Sequence, residues 1–207
     1  MATLLRSTAT QPETLSSLLA RQRAAFLRTG PPSLAERRAN LKKLRAALLA
    51  RREDFQAALD ADFGHRSRHE TAIMEMLALT WGIDYLRRHL RRFMRRERRG
   101  VSLPMRFARA SVESQPLGVV GIVAPWNYPM SLALMPLATA LAAGNRAMIK
   151  PSELTPATSE LLISLIAETF NEDEVAVVTG DAGVGATFAA LPLITSSSPE
   201  APRLAAR

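Results

Sequence analysis

Hydrophobic residues recur at helical spacing through the first half of the chain. The first such stretch begins at Pro12 and is broken by Thr-Gly-Pro-Pro at 29–32, and the same spacing returns over 34–61 and 70–94. Apolar residues three and four positions apart share one face of a helix. We therefore predict three amphipathic helices that pack against a core, with a break in the second near Arg52.

The pattern changes in the second half of the chain. A continuous apolar run at 119–124 is rich in β-branched residues, which suits a strand buried on both faces. A Pro-Trp-Asn-Tyr-Pro stretch at 125–129 ends the run, a small apolar helix is predicted over 130–143, and a second strand over 146–150. A strand, a helix and a strand joined by short connections require a parallel sheet.

A second strand–helix repeat follows. We predict a helix from Thr155 to Phe170, a strand over 175–178, and a short helix that ends at Leu191. The repeat indicates an α/β fold: an incomplete, doubly wound parallel sheet preceded by amphipathic helices.

Two polar clusters fall where predicted strands end, which is where open parallel sheets bind ligands. Asn127 follows the first strand, and its amide could donate to a developing oxyanion or bond to its own turn. Lys150 and Glu153 follow the second strand. They could bind ribose hydroxyls or form a surface ion pair worth about 0–1 kcal/mol.

The composition limits the kinds of catalytic and metal site that the chain can contain. The chain has 207 residues and no cysteine, which excludes disulfides, thiolate metal sites and cysteine nucleophiles within it. His65, His69 and His89 lack metal-ligand spacing, so no metal site is expected. The sequence shows neither a signal-peptide pattern nor a membrane-length apolar run, which predicts a cytoplasmic protein without membrane association.

The formal net charge of +8 raises the question of nucleic-acid binding. Much of it comes from a single cluster, comprising Arg87, Arg88, Arg91, Arg92, Arg95, Arg96, Arg98 and Arg99. Apolar side chains, Phe93 among them, recur opposite these arginines, no nucleic-acid-binding motif is present, and cations suit a helix C-terminus. We favour a solvated helix face over a nucleic-acid or polyanion site.

Several longer phrases resemble one family. GVVGIVAPWNYP followed by ALAAGNRAMIKPSELTP is similar to the nicotinamide-binding half of aldehyde dehydrogenases. ADFGHRS and VAVVTGDAGVGATFAALP resemble the coniferyl aldehyde dehydrogenase branch of that family. The resemblance runs from the first helix to Leu193, and the separation of PWN from KPSE makes it specific.

The resemblance implies NAD(P)+-dependent oxidation of an aldehyde, expected to be aromatic, to a carboxylic acid. It assigns Asn127 as oxyanion donor, together with a backbone amide of a catalytic cysteine. Lys150 and Glu153 would hold the adenosine ribose, and Lys150 could also meet a 2′-phosphate, so both NAD and NADP stay open. By the same resemblance, Ala124, Pro125 and Trp126 would line the cofactor channel. Gly180 and Gly185 would flank the adenine. Ser152 could assist at the ribose or only begin the next turn.

The same comparison divides the chain into four parts. Residues 1–100 would be the N-terminal helical part of the nucleotide-binding domain, and 116–193 a partial NAD(P)-binding, Rossmann-like domain. Residues 101–115 would form an extended strand of the kind that joins subunits. The resemblance implies a homo-oligomer or association with full-length subunits, although the residues alone indicate only an edge strand or arm of uncertain partner. Residues 194–207 form an aberrant tail.

The tail departs from the family, which reads roughly FDHLLFTGS after a phrase like FAALP. The segment from Leu193 onward can be encoded by a set of permitted codons that, read in the frame beginning at the third base of the Leu193 codon, encodes DHLLFTGSPAAGR. We therefore hypothesise a frameshift after Leu193, and genomic DNA that cannot be read this way would contradict it. Without the nucleophile and general base, this chain is expected to be inactive and to bind cofactor weakly or not at all. The alternatives are a non-catalytic assembly fragment and, less favoured, a polyanion binder.

Overall fold

A computed structural model describes residues 12–195, with side chains from 14 to 193. Its helices are α1 Pro12–Thr29, α2 Leu34–Ala50, α3 Arg52–Phe63, α4 Arg68–Glu70, α5 Ala78–Phe93, α6 Pro129–Ala143, α7 Pro156–Thr169 and α8 Ala182–Ala190. Its strands are β1 Glu97–Arg99, β2 Ala110–Val112, β3 Val119–Val123, β4 Arg146–Lys150, β5 Val175–Val177 and β6 Ile194–Thr195. A π-helical segment, Thr71–Leu77, joins α4 to α5, and a short 3₁₀ turn spans Leu103–Met105.

The helices in the first half of the chain form where the hydrophobic spacing predicts them. The predicted 34–61 helix is divided at Arg51 into α2 and α3. A capping box fixes the start of α2: the Glu36 N–H donates to Ser33 Oγ over 3.3 Å, and the Ser33 N–H donates to Glu36 Oε2 over 2.7 Å.

The larger sheet is parallel throughout, with strand order β5-β4-β3-β6. One hydrophobic cluster joins one side of this sheet to α2, α3, α5, α6 and α7. A second cluster joins the other side to α1 and α8 through Leu15, Leu18 and Phe188. Helices therefore cover both faces of the sheet, and the predicted doubly wound α/β fold is confirmed.

The expectation of one extended strand over 101–115 is wrong. Only Ala110–Val112 is strand, and it pairs antiparallel with β1, with Glu97 opposite Val112. Arg98 and Arg99 consequently lie on β1, not at the end of α5. The apolar stripe that holds α5 against the core stops at Met94, so the arginines beyond it leave the helix and form a local hairpin.

A short strand follows Leu193. Ile194 and Thr195 pair with Val120 and Gly121 of β3. Two β-branched residues suffice here because the β3 edge offers backbone groups that need partners. The rest of the predicted tail, 196–207, lies outside the described residues.

Candidate functional site

The site lies at the carboxyl edge of the parallel sheet. Val123 is paired with Lys150, so the segments that follow β3 and β4 leave the sheet side by side. The Ala124 N–H extends the ladder by donating to the Lys150 carbonyl over 3.0 Å. On the other side of β4, the Val178 N–H donates to the Ile149 carbonyl over 2.7 Å. The register therefore brings the two predicted polar clusters to one edge.

Lys150 and Glu153 form the charged part of this edge. Lys150 Nζ lies 3.2 Å from Glu153 Oε2 and 2.9 Å from the Pro151 carbonyl oxygen. An ammonium has three donors, so one remains for a ligand within the described part of the chain. A hydrogen bond from its own backbone N–H, and then the Lys150 ammonium, lower the pKa of Glu153. Lys150 is buried, whereas Glu153 exposes 46% of its side chain, so a ligand meets the carboxylate first.

In the first half of α8, a glycine lies next to the Lys150 side chain. A Cβ on Gly185 would lie 3.9 Å from Lys150 Cε, so the absence of a side chain leaves room above the lysine stem. Gly180, in the preceding turn, has φ +154°, and a Cβ there would lie 2.5 Å from Val184 Cγ2. Asp181 caps α8, accepting from the Val184 N–H over 3.0 Å. Gly185 thus lies beside the lysine–carboxylate pair, and these residues together could hold the ribose end of a nucleotide.

Ser152 is engaged in the turn between β4 and α7. Its Oγ accepts from the Leu154 N–H over 3.2 Å, and its carbonyl accepts from the Ser159 hydroxyl over 3.2 Å. Of its two predicted roles, this geometry favours starting the turn.

The Asn127 loop presents a free amide. Asn127 is exposed, and between residues 14 and 193 no group hydrogen-bonds to its side chain. Pro125 is exposed and Trp126 is half exposed, whereas the side chain of Ala124 is buried in the core. A contribution from Ala124 to a channel would therefore come from its backbone. These assignments remain predictions from the resemblance.

The structure adds residues that the sequence reasoning missed. Arg66 Nη1 donates to the Asn127 carbonyl over 3.3 Å, and Glu75 Oε2 accepts from the Ser131 N–H over 2.8 Å. Asp62 caps α7, accepting from the Ala157 N–H over 2.9 Å. Both Asp62 and Arg66 belong to the ADFGHRS phrase, which carried the family resemblance but gave no indication of contact with the sheet edge.

Two further observations concern ligand classes. Among the described residues, no group of three His, Cys, Asp or Glu side chains is close enough to share a metal ion. No helix within 12–195 has both the length and the apolar character needed to cross a membrane. Five of the eight arginines predicted to be solvated line an open groove between α5 and the β1–β2 hairpin: Arg92, Arg95, Arg96, Arg98 and Arg99.

Comparison with known proteins identifies the architecture. The family model described as "Aldehyde dehydrogenase family" matches residues 2–196. Coniferyl aldehyde dehydrogenase of Pseudomonas sp. is 47% identical over 180 residues, which cover 87% of this chain and 37% of that protein. The chain thus spans somewhat more than a third of the length of this relative.

Solved structures give the same result. Staphylococcus aureus AldH, in a substrate-bound state, superposes with a TM-score of 0.83 at 31% identity, covering 86% of this chain and 39% of that one. Mycobacterium tuberculosis aldehyde dehydrogenase complexed with NAD+ superposes with a TM-score of 0.78 at 28% identity, covering 90% and 38% respectively. With the family model matching nearly all its residues, the chain belongs to the aldehyde dehydrogenase family.

Proposed function

We propose that Asn127, Lys150 and Glu153 form the oxyanion-donating and ribose-binding part of an NAD(P)+-dependent aldehyde dehydrogenase that oxidises an aromatic aldehyde. The supporting observation is the register of β3 with β4, which sets Asn127 and the Lys150–Glu153 pair along one sheet edge. The aromatic substrate class rests on similarity to coniferyl aldehyde dehydrogenase. The cytoplasmic location expected from the sequence stays a prediction.

Each residue has a distinct role in this proposal. Glu153 accepts hydrogen bonds from ribose hydroxyls, and the remaining donor of Lys150 binds a ribose oxygen or a 2′-phosphate. Bound NAD(P)+ supplies the oxidant. The Asn127 amide donates to the aldehyde oxygen as negative charge develops on it.

We further propose that the 207 residues alone do not turn over aldehyde. The family chemistry implied by the resemblance needs a cysteine nucleophile, and this sequence contains none. An aldehyde-dependent rise in NADH from the purified chain would contradict this proposal.

Cofactor contact can be tested directly on the chain. We expect weak binding, so saturation-transfer NMR with NAD+ and NADP+ is the suitable measurement. Saturation of the adenosine ribose protons should be lost in Lys150→Met. It should persist in the matched control Lys43→Met, because Lys43 is exposed on α2. Equal saturation of these protons in the Lys150→Met and Lys43→Met variants would refute the assigned ribose site.

Exposed apolar side chains in the β1–β2 hairpin support a second proposed function, in the assembly of subunits. Leu103, Met105 and Phe107 expose 81%, 62% and 88% of their surface in the segment that joins its strands. We propose that this segment associates with full-length subunits of the same family. A tagged chain should retain such a subunit during purification, and Phe107→Asp should abolish the retention. Co-purification that is unchanged by this substitution would exclude the segment.

A further inference from the structure

We propose that the buried Arg66–Glu75 ion pair is a positioning device for Asn127, fixing the backbone on both sides of the oxyanion donor. The inference rests on the proposed function only for the chemical role of Asn127. The mechanical claim concerns the order of one loop, so it can fail or hold without any measurement of cofactor binding or turnover.

Arg66 holds the loop at Asn127 itself. Its guanidinium carbon lies 4.9 Å from the ring centroids of both Phe63 and Tyr128, and its side chain is only 6% exposed. Planar guanidinium groups stack on aromatic faces in this way. From this position Nη1 donates to the Asn127 carbonyl over 3.3 Å. The contact leaves the Asn127 side chain free while restraining its peptide unit.

Glu75 holds the loop four residues later. Its side chain is fully buried, and Oε1 lies 3.2 Å from Arg66 Nη1. Oε2 accepts from the Ser131 N–H over 2.8 Å, and the Glu75 carbonyl accepts from the Ser131 hydroxyl over 3.3 Å. Ser131 lies in the first turn of α6, where backbone N–H groups need partners. One ion pair therefore fixes both the carbonyl of Asn127 and the start of the helix that follows it.

Stability alone does not account for the pair. Burial raises the pKa of Glu75, because a carboxylate removed from water is disfavoured in its charged form. In the described part of the chain, two buried atoms of the pair, Arg66 Nε and Glu75 Oε1, make no hydrogen bond. The contact of Oε1 with Arg66 Nη1 is an ion pair only. Buried ion pairs can often be replaced by apolar residues at little cost in stability. Glu75 also lies in the π-helical segment, and π turns are frequent at functional sites.

The test uses the complete 207-residue chain and its backbone ¹⁵N relaxation. The key variant is the double replacement Arg66→Met/Glu75→Leu, which removes both charges together. The control is Arg45→Met/Asp84→Leu, which removes an ion pair of 2.9 Å between α2 and α5. Thermal unfolding of both variants separates local order from global stability.

We expect the order parameters of Asn127 and Tyr128 to fall from about 0.85 to below about 0.6 in the key variant. They should stay unchanged in the control, and the fall should occur without a matching drop in thermal midpoint. Unchanged order parameters in a folded Arg66→Met/Glu75→Leu chain would overturn the proposal, as would an equal fall in the control.

Arg66→Lys decides the question if the double variant does not fold. Lysine keeps the positive charge that Glu75 requires but lacks the planar fork and the stacked guanidinium. We expect Asn127 and Tyr128 to lose order while Ser131, still held by Glu75, keeps it. Full order at Asn127 in Arg66→Lys would show that charge alone suffices, which would refute the positioning role of the guanidinium.

Discussion

At the scale of single residues, the titration of Glu153 is a probe of the proposed ribose site. Its own backbone N–H lowers its pKa most, followed by the hydrogen bond from Lys150. A depressed pKa in the folded state stabilises the fold above the unfolded-state value, and this contribution is lost as pH falls through the folded value. Because half of the side chain is exposed, solvent screening keeps the contribution small.

Lys150→Met should raise the pKa of Glu153 only part of the way to its ordinary value. The backbone hydrogen bond, which is the larger cause, remains in this variant. Carboxyl ¹³C NMR titration measures the change, with Lys43→Met as the control that should leave it unaltered. A Glu153 pKa that does not move in Lys150→Met would show that the ion pair is absent in solution.

Gly180 is required by the backbone. Its φ of +154° is rarely adopted by other residues, and a Cβ would lie 2.5 Å from Val184 Cγ2. Gly180→Ala should lower the free energy of unfolding by about 1–3 kcal/mol, measured by urea denaturation. Gly100→Ala is the matched control because no atom lies within 4 Å of its Cβ position, and it should change stability by less than about 0.5 kcal/mol. Equal effects of the two substitutions would refute the local strain.

At the scale of elements, α7 depends on a cap supplied by α3. The Asp62 carboxylate accepts from the Ala157 and Thr158 N–H groups over 2.9 and 2.8 Å, and from the Thr158 hydroxyl over 2.7 Å. A carboxylate at a helix N-terminus satisfies free N–H groups and opposes the helix dipole favourably. The cap therefore ties α3 to the start of α7.

Asp62→Ala should destabilise the chain by about 1–2 kcal/mol, because it leaves N–H groups at the start of α7 without partners. Asp60→Ala, an exposed aspartate on the same helix, should have little effect. Chemical denaturation with amide hydrogen exchange should place the loss at Ala157 and Thr158. Full protection of these amides in Asp62→Ala would contradict the assigned cap.

Local pattern predicts some of these elements and misses others for physical reasons. The β3–α6–β4 unit was predictable because buried strands and a helix stop are local signals. The sequence pattern does not predict the β1–β2 hairpin, because a run of arginines is also typical of the C-terminal end of a helix. The Arg66 contact with Asn127 spans 61 positions, and no local pattern encodes a contact at that separation. The lysine and asparagine were predicted as candidates, but the groups that hold the asparagine were not.

At the scale of the whole molecule, the chain corresponds to only part of the relatives that it matches. It covers somewhat more than a third of the coniferyl aldehyde dehydrogenase of Pseudomonas sp., and its 207 residues contain no cysteine. The exposed Asn127 amide and Glu153 carboxylate face the open sheet edge, where parallel sheets bind ligands. Under the proposed function, turnover should therefore require a nucleophile that these 207 residues do not contain.

Fusion of residues 1–193 to the remaining C-terminal part of that relative should restore aldehyde-dependent NADH formation, whereas the 207-residue chain alone should give none. In the fusion, Asn127→Ala should lower kcat by about 10²–10³-fold, because an oxyanion donor acts mainly on the transition state. Trp81→Phe, a change at an exposed position on α5, is the control and should leave kcat unaltered. A folded, cofactor-binding fusion whose kcat is insensitive to Asn127→Ala would show that this amide is not the oxyanion donor.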